Sequence, residues 1–81
     1  MSREEVFEKL NCIFRDCFDD KSIVVTDDLV ASDIDGWDSF EHINLMNTVQ
    51  NEFGINVPMS KIITMSSVKE MVDVIMELVN Q

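Results

Sequence analysis

Three stretches of this chain space their apolar residues like the face of an α-helix, and that periodicity decides the fold class. Val68, Met71, Val72, Ile75, Leu78 and Val79 fall on one side of a 3.6-residue helix that runs towards the C-terminus. Val6, Leu10, Ile13, Phe14 and Cys17 do the same from about residue 3 to residue 18. Phe40, Ile43, Met46, Val49 and Phe53, widened by Leu45, supply the expected buried stripe of a middle helix over residues 39–53. Two Gly and one Pro are too few for the many tight turns of an all-β protein.

Punctuation agrees with periodicity. Ser2 is placed to cap the first helix, and Glu4 and Glu5 lie in its first turn, where the helix dipole favours them. Asp38 with Glu41, and Ser67 with Glu70, have the spacing of capping boxes at the starts of the second and last long helices. Gly54 follows Phe53 where a left-handed C-terminal residue belongs. Ile55-Asn56-Val57-Pro58 reads as an extended linker, since residues before Pro avoid the α region. Ser60 to Thr64 is expected to form one helical turn with Ile62 and Ile63 facing inward. Between Ser22 and Asp38 the periodicity is lost. Val24, Leu29, Val30, Ile34 and Trp37 are expected to anchor this long connection, with a short turn around Asp28 to Ala31. The fold expected is all-α: a single domain over residues 1–81, a four-helix bundle of three main helices plus one short helix, with a long loop between helices one and two.

Charge narrows the partners. A net charge of −10 on 81 residues opposes nucleic-acid binding through phosphate repulsion and favours steered encounters with basic protein surfaces. Nine of the sixteen acids lie between Asp16 and Glu41, where Lys21 is the sole basic residue. A solvated loop that aids solubility is the plainer reading of that cluster. Cys12 and Cys17 would project about 140° apart on a helix, so they read as small core or boundary residues in a reducing compartment rather than a disulfide or metal pair. No apolar run reaches membrane-spanning length and Met1-Ser2-Arg3-Glu4-Glu5 is no signal peptide, so a soluble, cytoplasmic protein is expected. A monomer is the expected state.

The residues with the most chemical meaning are Asp35-Gly36-Trp37-Asp38-Ser39-Phe40-Glu41-His42-Ile43. They put the Ser39 hydroxyl at a helix start, beside unpaired N–H groups that welcome a phosphate. Two sharper chemistries fail here. A serine hydrolase could use His42, the only His and one turn from Ser39, but the chain lacks a Gly-x-Ser-x-Gly elbow and room for a substrate pocket. His42 is instead expected to be an exposed helix residue. A calcium loop fails on register: with Gly36 at its sixth position, Ala31 stands first and His42 twelfth, where carboxylates are required. No catalytic residue and no metal site are assigned.

In these residues the chain resembles the acyl carrier protein family, whose Asp-Ser-Leu motif opens the second helix; here it reads Asp38-Ser39-Phe40. Glu52-Phe53-Gly54-Ile55-Asn56-Val57-Pro58 is similar to the family's exit from that helix, and Ser66-Ser67-Val68 to its approach to the last one. The likeness spans roughly residues 4 to 79. It implies that Ser39 receives 4′-phosphopantetheine from coenzyme A, through a phosphopantetheinyl transferase that uses Mg²⁺, with Asp38 beside the phosphate. The terminal thiol then holds acyl groups as thioesters, and the protein itself is no enzyme. Asp35, Trp37, Phe40 and Glu41 would dock against basic patches on acyl-loading and acyl-accepting enzymes. The resemblance also suggests that Phe40, Ile43, Met46, Ile62, Ile63 and Met71 line an apolar interior for a short acyl chain; ordinary core is an equal reading of each. Phe40 stands where Leu is usual, and the chain from His42 to Asn51 holds no carboxylate. The Gly-Trp-Asp-Ser run looks more like stand-alone carriers of specialised pathways than the general fatty-acid carrier. A carrier-like helical domain serving unmodified as an interaction module is the alternative.

Overall fold

The computed structural model describes residues 1–80. Four α-helices follow in order, α1 (Arg3–Cys17), α2 (Ser39–Phe53), α3 (Met59–Ile62) and α4 (Val68–Val79), with a 3₁₀ turn at Ala31–Asp33 in the long loop. The helix bounds differ from the expected ones by two residues at most, and α1 packs on both α2 and α4. Val6, Leu10, Phe14, Leu45, Met46, Val49, Met71 and Ile75 are fully buried and form the centre of one core.

Helix ends behave as their residues dictate. Ser2 Oγ accepts the Glu5 N–H and the Glu5 carboxylate accepts the Ser2 N–H, a complete capping box. That bonding to Ser2 holds the Glu5 carboxyl below the usual carboxylate range. Asp38 and Ser67 each accept the N–H three residues on, but their boxes are not reciprocal: Glu70 turns back to the Ser66 N–H instead. Gly54 closes α2 at φ 65°, with nothing within 4 Å of where a Cβ would stand. Its substitution therefore tests backbone strain alone. Gly54→Ala is expected to cost about 1–2 kcal/mol, and Gly54→Asn less, in urea unfolding. Equal stability of all three would refute the left-handed cap.

The loop between α1 and α2 is long but fastened. Its buried anchors are Ile23, Val25 and Trp37, while Leu29, Val30 and Ile34 are half-buried. Val24, expected to anchor, is exposed, because chain alternation through this extended piece sends Ile23 and Val25 inward. Arg15 Nε donates to the Ile23 carbonyl at 2.8 Å, and the Val25 N–H donates to Asn11 Oδ1 at 2.7 Å. At the far end Val30 bridges Ser67, and the Val68 N–H donates to the Leu29 carbonyl at 2.9 Å. The expected turn lies slightly later than Asp28–Ala31, at the 3₁₀ turn whose Asp33 carboxylate accepts the Val30 N–H.

Arg3 joins three segments, donating to Asp27 on the loop at 2.6 Å and to Asp73 on α4 at 3.1 Å; Lys69 also reaches Asp73 at 3.1 Å. Hydrogen bonds from Lys69 and Arg3 hold the Asp73 carboxyl below its ordinary range. A carboxyl depressed on folding stabilises the fold above its unfolded pKa of about 3.9 and loses that contribution as pH falls through the folded value. Asp73→Asn is thus expected to flatten the acid side of a plot of urea midpoint against pH below about 4, modestly because the site is exposed and salt-screened. An unchanged acid limb would mean that the network does nothing for stability.

Candidate functional site

Ser39 is the first residue of α2, and its side chain is exposed. Asp38, extended at φ −102° and ψ −174°, turns its carboxylate to the Glu41 N–H at 2.9 Å, while its carbonyl accepts the His42 N–H. Those two bonds leave the Ser39 and Phe40 N–H groups without a partner inside the helix. Among the described residues the Ser39 hydroxyl has no hydrogen-bond partner either, so nothing on the protein competes for it. Gly36, at φ 87°, gives the loop the left-handed turn that brings Trp37 inward just before the helix starts.

His42 is a correction. It is 9% exposed, not a surface residue. Its Nδ1 accepts the Trp37 Nε1–H at 3.1 Å, and its Nε2–H donates to the Ile62 carbonyl at 2.8 Å. Both ring nitrogens are committed away from Ser39, which removes the one base a hydrolase could have used. The signal was in the spacing: His42, Leu45, Met46, Val49 and Phe53 form the true inner stripe of α2, displaced from the one that begins at Phe40. A polar side chain on that stripe reads as surface in the sequence, because its burial requires partners that only tertiary structure reveals.

Phe40 and Ile43 correct the same expectation, being 72% and 37% exposed. Phe40 lies about 200° round the helix from His42, towards solvent. Trp37, expected at a docking surface, is buried: its ring meets Phe14 edge-on with centroids 5.2 Å apart and lies 6.2 Å from Phe18. It holds the loop to the core and offers a partner little area. Asp35 is exposed and Glu41 half-exposed on the rim around Ser39.

A cleft of about 310 Å³ opens beside the Ser39 hydroxyl. Asp38, Ser39 and Ile43 form one wall and Ile63 and Met65 the other, while Ala31, Trp37 and His42 close it. Of the six residues expected to line an apolar interior, this cleft takes Ile43 and Ile63, the latter 65% exposed rather than turned inward. Met46, Ile62 and Met71 are core, and Phe40 lies outside.

A larger cleft of about 640 Å³ separates the limbs of the loop and gathers Asp19, Asp20, Asp33 and Asp35. Hydrogen bonds from Ser22 hold the Asp20 carboxyl low, so this mouth presents negative charge. Among the described residues no group of three or more His, Cys, Asp or Glu is placed to hold a metal ion. Cys12 and Cys17 are free, and burial pushes the Cys17 thiol up. Among the described residues no helix is long and apolar enough to cross a membrane.

An exposed, unengaged serine at a capped helix start, with free N–H groups and a cleft alongside, fits a covalently tethered phosphate arm. Comparison with known proteins agrees. The family described as phosphopantetheine attachment site matches residues 15–75. The solution structure of a holo acyl carrier protein from Geobacter metallireducens superposes with a TM-score of 0.85 at 32% identity, covering 93% of this chain and 86% of that one. No curated protein matches the chain at comparable significance. With three-quarters of its length matched, the chain belongs to the phosphopantetheine attachment family as a non-catalytic carrier of the acyl carrier protein type, whose cofactor is covalently attached 4′-phosphopantetheine.

Proposed function

We propose that Ser39 carries the 4′-phosphopantetheine and that the chain works as a cytoplasmic monomer, delivering acyl thioesters between enzymes of a specialised biosynthetic pathway. One observation carries the assignment of the site: among the described residues Ser39 alone combines an exposed hydroxyl, a helix start with unpaired N–H groups and the mouth of a cleft. Asp38 is adjacent, and its carboxylate is the group best placed to meet the Mg²⁺ that a phosphopantetheinyl transferase brings with coenzyme A. When bound, the arm supplies a thiol on which acyl groups form thioesters. The chain's own part is to present that arm and to be recognised.

Recognition rests on the rim of the site. Asp35 and Glu41 supply charge for basic patches on loading and accepting enzymes, and exposed Phe40 supplies an apolar anchor between them. Support for a specialised pathway comes from the middle of α2, where Asn44, Asn47, Thr48 and Asn51 stand without a carboxylate. Partners that read a strongly acidic second helix would find little to grip there.

Incubation with coenzyme A, Mg²⁺ and a broad-specificity transferase is expected to add one phosphopantetheine to the intact mass. Fragmentation of the modified peptide should place that gain on Ser39. No gain, under conditions that modify a control carrier, would sink the carrier reading and leave an unmodified interaction module in its place. A gain on any other serine would sink the site.

A further inference from the structure

The cleft beside Ser39 leads nowhere, and the residue that closes it is His42. Of the side chains lining the cleft, only Trp37 and His42 are buried, so they form its inner end. They are bonded to each other at 3.1 Å, and His42 is bonded on to the Ile62 carbonyl of α3 at 2.8 Å. The imidazole therefore ties three segments together: the end of the long loop, the first turn of α2 and the last residue of α3. Further along the inner faces lie Leu45, Met46 and Met71, all fully buried.

We propose that His42 is a latch that bars the bundle interior to short acyl groups, so that such a group hung from Ser39 rests in the open cleft against Ile43, Ile63 and Met65. This deepens the carrier reading and rests on it. A group that pushed inward would have to turn the imidazole away. The Trp37 indole N–H and the Ile62 carbonyl would then both be unpaired among apolar side chains. Leaving two such groups unsatisfied costs as much as burying about three to seven methylenes returns. A chain of a few carbons cannot meet that cost, and the six methylenes of an octanoyl group do no more than about balance it.

The cleft has room for such a group. At about 310 Å³ it lies at the small end of ligand-binding pockets. Its walls are apolar at Ile43, Ile63 and Met65 and polar at Asp38 and Ser39, which suits a short acyl group close to its thioester. His42 thus acts through position rather than by touching a reacting atom. It sets which cargo is hidden and which stays exposed to water and to partner enzymes. The cargo class that the latch leaves accessible is the short acyl group.

The test loads the chain with butanoyl- or octanoyl-phosphopantetheine from the corresponding acyl-coenzyme A. Intact mass first shows the load on Ser39; absence of that mass fails the carrier reading itself. Hydroxylamine, which displaces the thiol and leaves a hydroxamate, then reports how exposed each thioester is. In the native chain the two thioesters are expected to react within about twofold of each other, because the latch keeps both outside. In His42→Ala, which has no ring to displace, the octanoyl thioester is expected to react at least about fivefold more slowly than the butanoyl one. Equal rates in both proteins, or strong octanoyl protection in the native chain, would overturn the proposal.

A second readout covers the case in which His42→Ala does not fold. Trp37 is the only Trp, so its indole N–H gives a single resonance in the native chain. That resonance is expected to move by the same small amount on loading either acyl group, since both rest in the cleft that Trp37 lines. A clearly larger shift on octanoyl than on butanoyl loading would show the latch opening and overturn the proposal without any variant.

Discussion

Ser39→Ala is expected to abolish uptake of phosphopantetheine completely while moving the melting temperature by no more than about 2–4 °C. The two halves of that result come from different physics. Uptake fails because the phosphodiester needs a hydroxyl oxygen, and the structure provides no neighbouring one with the same setting. Stability holds because the Ser39 side chain is exposed, bonds to none of the described residues and sits at the first helical position, where Ala is well tolerated. The helix keeps its cap, since that role belongs to Asp38. Intact mass after transferase treatment and a thermal melt check the two halves separately. Residual uptake in the variant would move the site elsewhere; a melting point lowered much further would show that Ser39 has a structural role that the geometry does not reveal.

Phe14→Ala carries the largest expected loss of stability. Phe14 is fully buried and stands at the middle of an aromatic group, 5.2 Å from Trp37 and 5.9 Å from Phe18 between centroids. Truncating a buried Phe costs about 3–5 kcal/mol, and aromatic pairs add about 0.5–1.5 kcal/mol beyond area. For 81 residues the whole stability is of the order of 4–12 kcal/mol. The variant is therefore expected to be partly or wholly unfolded at 25 °C, and a melt that survives should fall by at least about 12 °C. Because Trp37 packs against Phe14, tryptophan emission should shift towards that of exposed indole. A urea midpoint close to the native one would mean that the core is not organised around this residue.

Helix type and position were legible because they depend on local properties: apolar spacing, capping residues and glycine at a chain reversal. Ser2, Asp38, Gly54 and Ser67 mark their helix ends through bonds to residues at most four away. The helix start at Asp38 and Ser39, on which the proposed attachment site rests, was legible for the same reason, the two being neighbours. What failed was the assignment of faces where a polar residue is buried or a large apolar one is not. His42 faces inward because Trp37, five residues away, and Ile62, twenty away, offer it partners. With His42 counted as surface, the apolar stripe of α2 runs through Phe40 and Ile43, and Phe40 reads as core. Docking through Trp37 failed likewise, since a large aromatic in an acidic loop looks exposed until Phe14 and Phe18 are seen beneath it. Ile63 came out because α3 begins and ends slightly earlier than expected.

The contact between the ends of the chain has a topological consequence. The Met1 ammonium donates to Asn80 Oδ1 at 3.3 Å, so α1 begins where α4 ends. Joined there, residues 1 to 80 would close into a ring. Such a ring could be reopened at an exposed loop, or set into a surface loop of a larger protein through two adjacent strands of linker. Ser39 lies partway round that ring, at the start of α2 and well away from the join in sequence. A domain closed in this way could therefore stand free or be inserted without rebuilding its core.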